Sequence, residues 1–180
     1  MTRLSRIAFP SLSIFMLMVL DQLSKWWVTE RYFSEKGLDF FPWLVAFGKE
    51  RAAFVSEPIT SFFNLVIVWN QGVSFGMFRD HPWVGTYIIT ALAFAISGFF
   101  IVWMVRARSC LIGFAGTLIV AGAISNVLDR LRFGAVIDFL DFHWGDWHYP
   151  AFNLADSCIV VGVIVLVVKS LFLDRSKGDK

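Results

Sequence analysis

Apolar residues along this chain come in long uninterrupted runs rather than at amphipathic spacing. Ile7 to Leu20 carries no charge and continues past Asp21 and Lys25 to Trp26 and Trp27. His81 to Val105 contains no Asp, Glu, Lys or Arg, and neither does Cys110 to Leu128. Ser157 to Val168 is uncharged, after which Lys169 can snorkel while Ser170 to Leu173 complete the stretch. Each run supplies the ~20 residues that a spanning helix needs. The pattern predicts an all-α membrane protein with four transmembrane helices, at about 8–28, 83–105, 110–128 and 155–173, in one domain covering 1–180.

The connections carry their own signals. Between the first two runs, Phe62 to Trp69 is rich in β-branched and aromatic residues and predicts a strand, with Gly72 and Gly76 permitting tight turns after it. An apolar strand outside the bilayer core implies a small sheet at the membrane surface, a β-cradle over about 38–78, with Trp43 and Trp69 at headgroup level. The segment joining the third and fourth runs reads as a loop, with Gly134 ending the helix before it. Gly113, Thr117, Ala121 and Ser125 recur at i, i+4 and form a small-residue stripe for helix packing, with no chemistry assigned.

Composition sharpens this picture. The chain is 57% hydrophobic with a mean hydropathy of +0.66, above the ~45–50% apolar content of soluble domains. Arg3 and Arg6 precede the first run as in a signal peptide. No small-residue cleavage site follows, so the run reads as an uncleaved span. Four spans put both termini on one side. Arg3, Arg6, Arg106, Arg108, Lys169, Arg175, Lys177 and Lys180 sit densely beside span ends and mark that side as cytoplasmic. A net charge of +2 gives no reason to expect nucleic acid as a partner. Cys110 and Cys158 start successive spans from opposite faces, roughly a bilayer apart, which argues against a disulfide and reads both as core residues.

Chemistry enters with the acids. Asn126, Asp129 and Arg130 fall on one helix face, and Asp138 follows in the apolar setting AVIDFL. Asp156 stands at the mouth of the fourth run. Asn153 at the N-cap and Asp156 at N3 fit a capping pair, while a second acid on the same membrane face fits chemistry. Two facing carboxylates share a proton; the ionised one can take a proton from water while the protonated one polarises an amide carbonyl. The helix N-terminus favours charge on Asp156, and the apolar neighbours of Asp138 favour the proton there. Asp21 and Lys25 at i, i+4 read as a structural ion pair or as a substrate contact. Asn70 reads as a turn residue or a substrate ligand, and Arg130 as an anchor to Asp129 or a carbonyl, or as a substrate contact. Asp141, His143, Asp146 and His148 raise a metal alternative, but the histidine spacing is not that of a helical zinc site. A nucleophilic triad lacks a His beside Ser125 or Ser157. A proton-coupled transporter would place its acids near mid-membrane, and a passive scaffold gives no reason for two acids beside two asparagines.

The stretches SNVLDRLRFGAVIDFLDF and WHYPAFNLADS, with DQLSK at 21–25 and WNQGVSFGMF at 69–78, resemble the motifs of lipoprotein signal peptidase, also called signal peptidase II. The resemblance runs over about 10–172. It implies an aspartic endopeptidase of the bacterial inner membrane, with its site facing the periplasm. Such an enzyme removes the signal peptide of prolipoproteins just before a diacylglyceryl-modified cysteine. By motif it implies Asp138 and Asp156 as the catalytic pair. Asn126, Asp129, Arg130, Asn153, Asn70, Gly72, Asp21 and Lys25 then support the pair or bind substrate. It implies no metal or other cofactor, a monomer among membrane lipids, a periplasmic β-cradle, and inhibition by globomycin-type cyclic peptides. Ser125 stands where the family often has Gly, a change expected to matter little, and residues 37–58 look longer than usual.

Overall fold

The computed structural model describes residues 5–48, 51–72, 82–107 and 109–173. Gly76 and Arg108 and the polar chain ends lie outside them. The apolar runs are helices: α1 (Ser5–Trp26), α3 (Pro82–Arg106), α4 (Cys110–Phe133) and α5 (Leu154–Val168), with a short surface helix α2 (Phe40–Val45) between the first two. Helix α1 continues into a π-helical turn, Trp27–Tyr32, and α5 into another, Lys169–Leu173. Among the described residues, three helical stretches can cross a membrane by length and composition: Thr86–Arg106, Cys110–Phe133 and Leu154–Phe172. Large side chains on α3 and α5, such as Leu92, Phe99, Val160 and Ile164, face outward, as lipid-facing residues do. Helix α4 is the central element and packs against α1, α3 and α5.

Close packing of α4 on α5 has a local cause. A Cβ on Gly122 would stand 2.2 Å from the Ala155 carbonyl oxygen, and one on Gly162 would stand 2.8 Å from that of Ala115. The expected stripe does not supply this contact. Gly113 faces open space, and Ser125 is a hydrogen-bonding residue turned towards α1. Helix α4 also runs past the expected end at 128 to Phe133. Its last turn is charged, but those charges find partners inside the fold, and Gly134 then stops the helix in the left-handed conformation (φ 67°) with its N–H on the Arg130 carbonyl.

The sheet corrects the reading of two connections. The strands β1 (Val55–Thr60), β2 (Phe63–Asn70), β3 (Val136–Trp144) and β4 (Trp147–His148) form one antiparallel sheet in that order. Strand β2 lies where the sequence predicts it. The segment after α4, expected to be a loop, supplies β3 and β4, so half of the sheet comes from the second connection. Val68 pairs with Asp138 and Asn70 with Val136, which puts the end of β2 beside the first acid. Val28, Leu65, Ile67 and Phe139 form one apolar cluster, and Trp43, Phe133 and Ile137 form another. Trp43 is therefore a core residue and not an interfacial one; the exposed tryptophans among the described residues include Trp144 and Trp147 on the β3–β4 hairpin. Cys158 is buried as expected, whereas Cys110 is exposed.

Candidate active site

Three helix ends and two strands converge here: the C-terminal turns of α1 and α4, the N-terminus of α5, the end of β2 and the start of β3. Asp138 comes from β3 and is fully buried. Its Oδ1 accepts from Asn153 Nδ2 at 2.8 Å and its Oδ2 from Asn70 Nδ2 at 2.9 Å. Asp156 comes from the first turn of α5. Its Oδ1 accepts from Asn126 Nδ2 at 2.7 Å and its Oδ2 from the Asn153 backbone N–H at 3.3 Å. Each of the four carboxylate oxygens thus has an amide donor, and Asn153 touches both acids.

Asn153 has this reach because it is the N-cap of α5. Its Oδ1 accepts from the Asp156 N–H at 2.9 Å, and Asp156 answers to its backbone, which completes a capping box. Its buried Nδ2 is left to meet Asp138, the Ile137 carbonyl and Asn126 Oδ1. Capping and a role at the acid pair are therefore not alternatives for Asp156: the cap is what aims it. Asn70 likewise does two things. Its Oδ1 accepts from the Gly72 N–H at 2.7 Å in an Asx turn, and its amide reaches Asp138. Gly72 adopts φ 73°, and a Cβ there would stand 2.5 Å from Ile89 Cδ1, so the turn requires glycine.

Behind the pair lies a buried charged layer. Lys25 Nζ sits 2.7 Å from Asp21 Oδ2, 2.7 Å from Asp129 Oδ2 and 3.2 Å from Asn126 Oδ1, with no exposure. The expected Asp21–Lys25 pair is present and shares its cation with Asp129. Asp21 also accepts from the Ala155 N–H at 2.9 Å, which caps α5 from another helix, and from Ser125 Oγ at 2.6 Å. Asp129 holds the Ile137 N–H at 3.3 Å, one residue before Asp138. Arg130 donates to the Asn126 carbonyl at 3.4 Å rather than to Asp129, and Gly72 lies beside its guanidinium.

Burial pushes the Asp138 carboxyl up from 3.8 to about 7; the neighbouring Asp156 charge adds to this, and the hydrogen bonds from Asn70 and Asn153 oppose it. At neutral pH this acid exists in both protonation states. Two acids bridged by Asn153 can therefore offer a carboxylate and a carboxylic acid together, a combination able to activate water against an amide.

Gln22 and Arg132 carry no assignment in the sequence reading, and Ser125 has only a packing role there. Gln22 and Ser125 had only small or polar character within an apolar helix as a signal, and Arg132 only a charge before Gly134. The cluster that raised the metal alternative is arranged otherwise. His148 Nδ1 lies 2.9 Å from Asp141 Oδ2, Asn64 donates to that same oxygen, and the His143 ring stacks on His148. Burial alone would raise Asp141, but the bonds from His148 and Asn64 outweigh it and hold its carboxyl below the usual range.

Comparison with known proteins adds to this geometry. A family model described as "Signal peptidase (SPase) II" matches residues 13–172. A lipoprotein signal peptidase of Methylobacterium radiotolerans is 37% identical over 166 residues, covering 92% of this chain and 87% of the relative. One from Burkholderia vietnamiensis is 39% identical over 165 residues, covering 90% of this chain and 87% of the relative. A solved bacterial membrane enzyme superposes with a TM-score of 0.67 at 21% identity, covering 95% of this chain and 92% of that one, a likeness of fold.

Proposed function

This chain belongs to the signal peptidase II family of membrane peptidases, which remove signal peptides from prolipoproteins, and we propose that Asp138 and Asp156 are the pair that cuts. The observation that carries this reading is Asn153, which holds one oxygen of each acid and so ties the two together. No ion pair within 4 Å neutralises either carboxylate among the described residues, so one proton shared between them is the favoured state.

The chemistry follows from the two environments. Asp156, at a helix N-terminus, is the carboxylate that takes a proton from water. Asp138, buried in β3, donates its proton to the scissile carbonyl oxygen. The water oxygen bonds to the carbonyl carbon and gives a gem-diol, with Asp156 now protonated and Asp138 ionised. On collapse, Asp156 protonates the leaving nitrogen, Asp138 recovers a proton from a diol hydroxyl, and the C–N bond breaks. Both acids end as they began, with no covalent intermediate. No step passes through a metal or another cofactor.

The substrate in this reading is a prolipoprotein whose cysteine bears a diacylglyceryl group, with cleavage just before that cysteine. The site lies at one end of the helix bundle, where a membrane-embedded signal helix and the lipid reach it without leaving the bilayer. We place α1 as a fourth span, since it packs on α4 and ends at the same layer. Both termini are then cytoplasmic, and the site faces the periplasm at the inner membrane. In this account the sheet lies at the outer surface and the protein acts as a monomer. Globomycin-type peptides would compete for the space between the acids. The test is cleavage of a diacylglyceryl-modified prolipoprotein by the purified protein, with the new N-terminus read by mass spectrometry. Cleavage before the cysteine in wild type, absent in Asp138→Asn, is expected. Wild-type turnover in that variant would remove Asp138 from the pair.

A further inference from the structure

Arg132 is buried next to this site and, among the described residues, touches no carboxylate. Its Nη1 donates to Gln22 Oε1 at 2.8 Å and its Nη2 to the Trp43 carbonyl, while its guanidinium lies 4.2 Å from the Trp43 ring centroid and 4.4 Å from that of Phe133. Its Nε has no hydrogen-bond partner among the described residues. A buried cation without a contacting anion is costly, so its charge needs a balance at one remove. Gln22 provides the link: its carbonyl accepts from Arg132, and its amide donates to Asp129 Oδ1 at 2.8 Å.

The charges around the acid pair then sum simply. Helix α1 brings Asp21 and Lys25, and the turn after it the buried Glu30; α4 brings Asp129, Arg130 and Arg132; β2 and α2 contain no charged residue, and Arg51, before β1, donates to the Phe133 carbonyl and offsets Glu30 outside the layer. Lys25 alone faces two carboxylates, Asp21 and Asp129. With Arg132 included, that layer is neutral, and Arg130 remains as the counter-charge to an acid pair holding one proton.

We propose that Arg132 is a positioning residue for the Asp138–Asp156 pair. Through Gln22 it orients Asp129, whose Oδ2 fixes the backbone just before Asp138, and its charge completes a neutral layer behind the acids. The inference rests on the hydrolytic reading given above. The alternative is that Arg132 is a structural staple between α4 and α2.

A staple has no sign, and a charge does. The experiment is the pH dependence of kcat/KM for the full chain in lipid–detergent micelles, on a diacylglyceryl-modified prolipoprotein. Arg132→Gln leaves the layer with an extra negative charge, so both limbs move to higher pH, by roughly one unit; a charge about 10 Å away at an effective dielectric of about 20 has that effect. Asp21→Asn leaves an extra positive charge and moves both limbs to lower pH. Arg132→Lys keeps the charge and leaves the limbs in place, whatever it does to the melting temperature. Limbs unmoved in Arg132→Gln, or moved the same way in Asp21→Asn, would overturn the proposal. If Arg132→Gln does not fold, Arg132→Met, which keeps the contact with the Trp43 and Phe133 rings but removes the charge, takes its place, and limbs unmoved there overturn the proposal. Asp138→Asn is run alongside: turnover there refutes the acid pair itself, a separate result.

Discussion

Replacing Asp138 by asparagine should make the protein less stable than wild type in acid and more stable at alkaline pH. The folded carboxyl stands at about 7 against 3.8 when unperturbed. Its folded-state value is raised, so its contribution is fully present below the unfolded value and is lost as pH rises through about 7. Between about pH 5 and 8 the wild type should lose roughly 2.5 kcal/mol from this one group, spread more widely by coupling to Asp156. The asparagine variant has no such term, but both Asp138 oxygens accept N–H bonds, so the new amide nitrogen meets a donor and one bond is lost, at about 1–2 kcal/mol. The two terms cross between the pH extremes. The assay is thermal unfolding of both proteins in the same micelles across that range. The melting-temperature difference should swing by roughly 5–10 °C in favour of the variant as pH rises. A difference that stays flat with pH would refute the claim that burial holds a proton on Asp138.

Other perturbations have distinct signatures. Lys25→Met strands Asp21 and Asp129 without a cation and should cost about 3–5 kcal/mol of stability, read from the melting temperature. Gly122→Ala puts a methyl 2.2 Å from the Ala155 carbonyl and must displace the start of α5; a loss of about 1–3 kcal/mol should come with a kcat defect larger than the KM effect, because Asp156 moves with that turn. EDTA should leave the cleavage rate unchanged, since two acids sharing a proton suffice to activate water; inhibition reversed by adding a metal would bring His143 and His148 forward.

How much of this was legible beforehand depended on how local each signal is. Asn153 and Asp156 could be read because a capping box is set by spacing within one turn. Gly134 could be read because only glycine stops a helix cheaply in the left-handed region. Asp138 stood out as an ionisable group in an apolar setting. Strand β3 did not, because its partner β2 lies in the other connection and Asp138 and Asp141 break any simple alternation. The same non-local pairing put Asn70 on Asp138. Trp43 looked interfacial by residue type, yet it is buried beneath a guanidinium that no spacing rule connects to it. Ser125 fitted a small-residue stripe, and only α1 packed against it reveals the hydroxyl bond to Asp21.

The central claim is that Asp138 and Asp156 act as one unit, and a double-variant comparison tests it most directly. Single-turnover cleavage of a diacylglyceryl-modified prolipoprotein would be measured for Asp138→Asn, Asp156→Asn and the two together, each shown to be folded. Groups that share one proton in one step are grossly non-additive. The account predicts that each single variant loses turnover about as completely as the double one. Two partial losses that multiply in the double variant would show two independent contributions and contradict it.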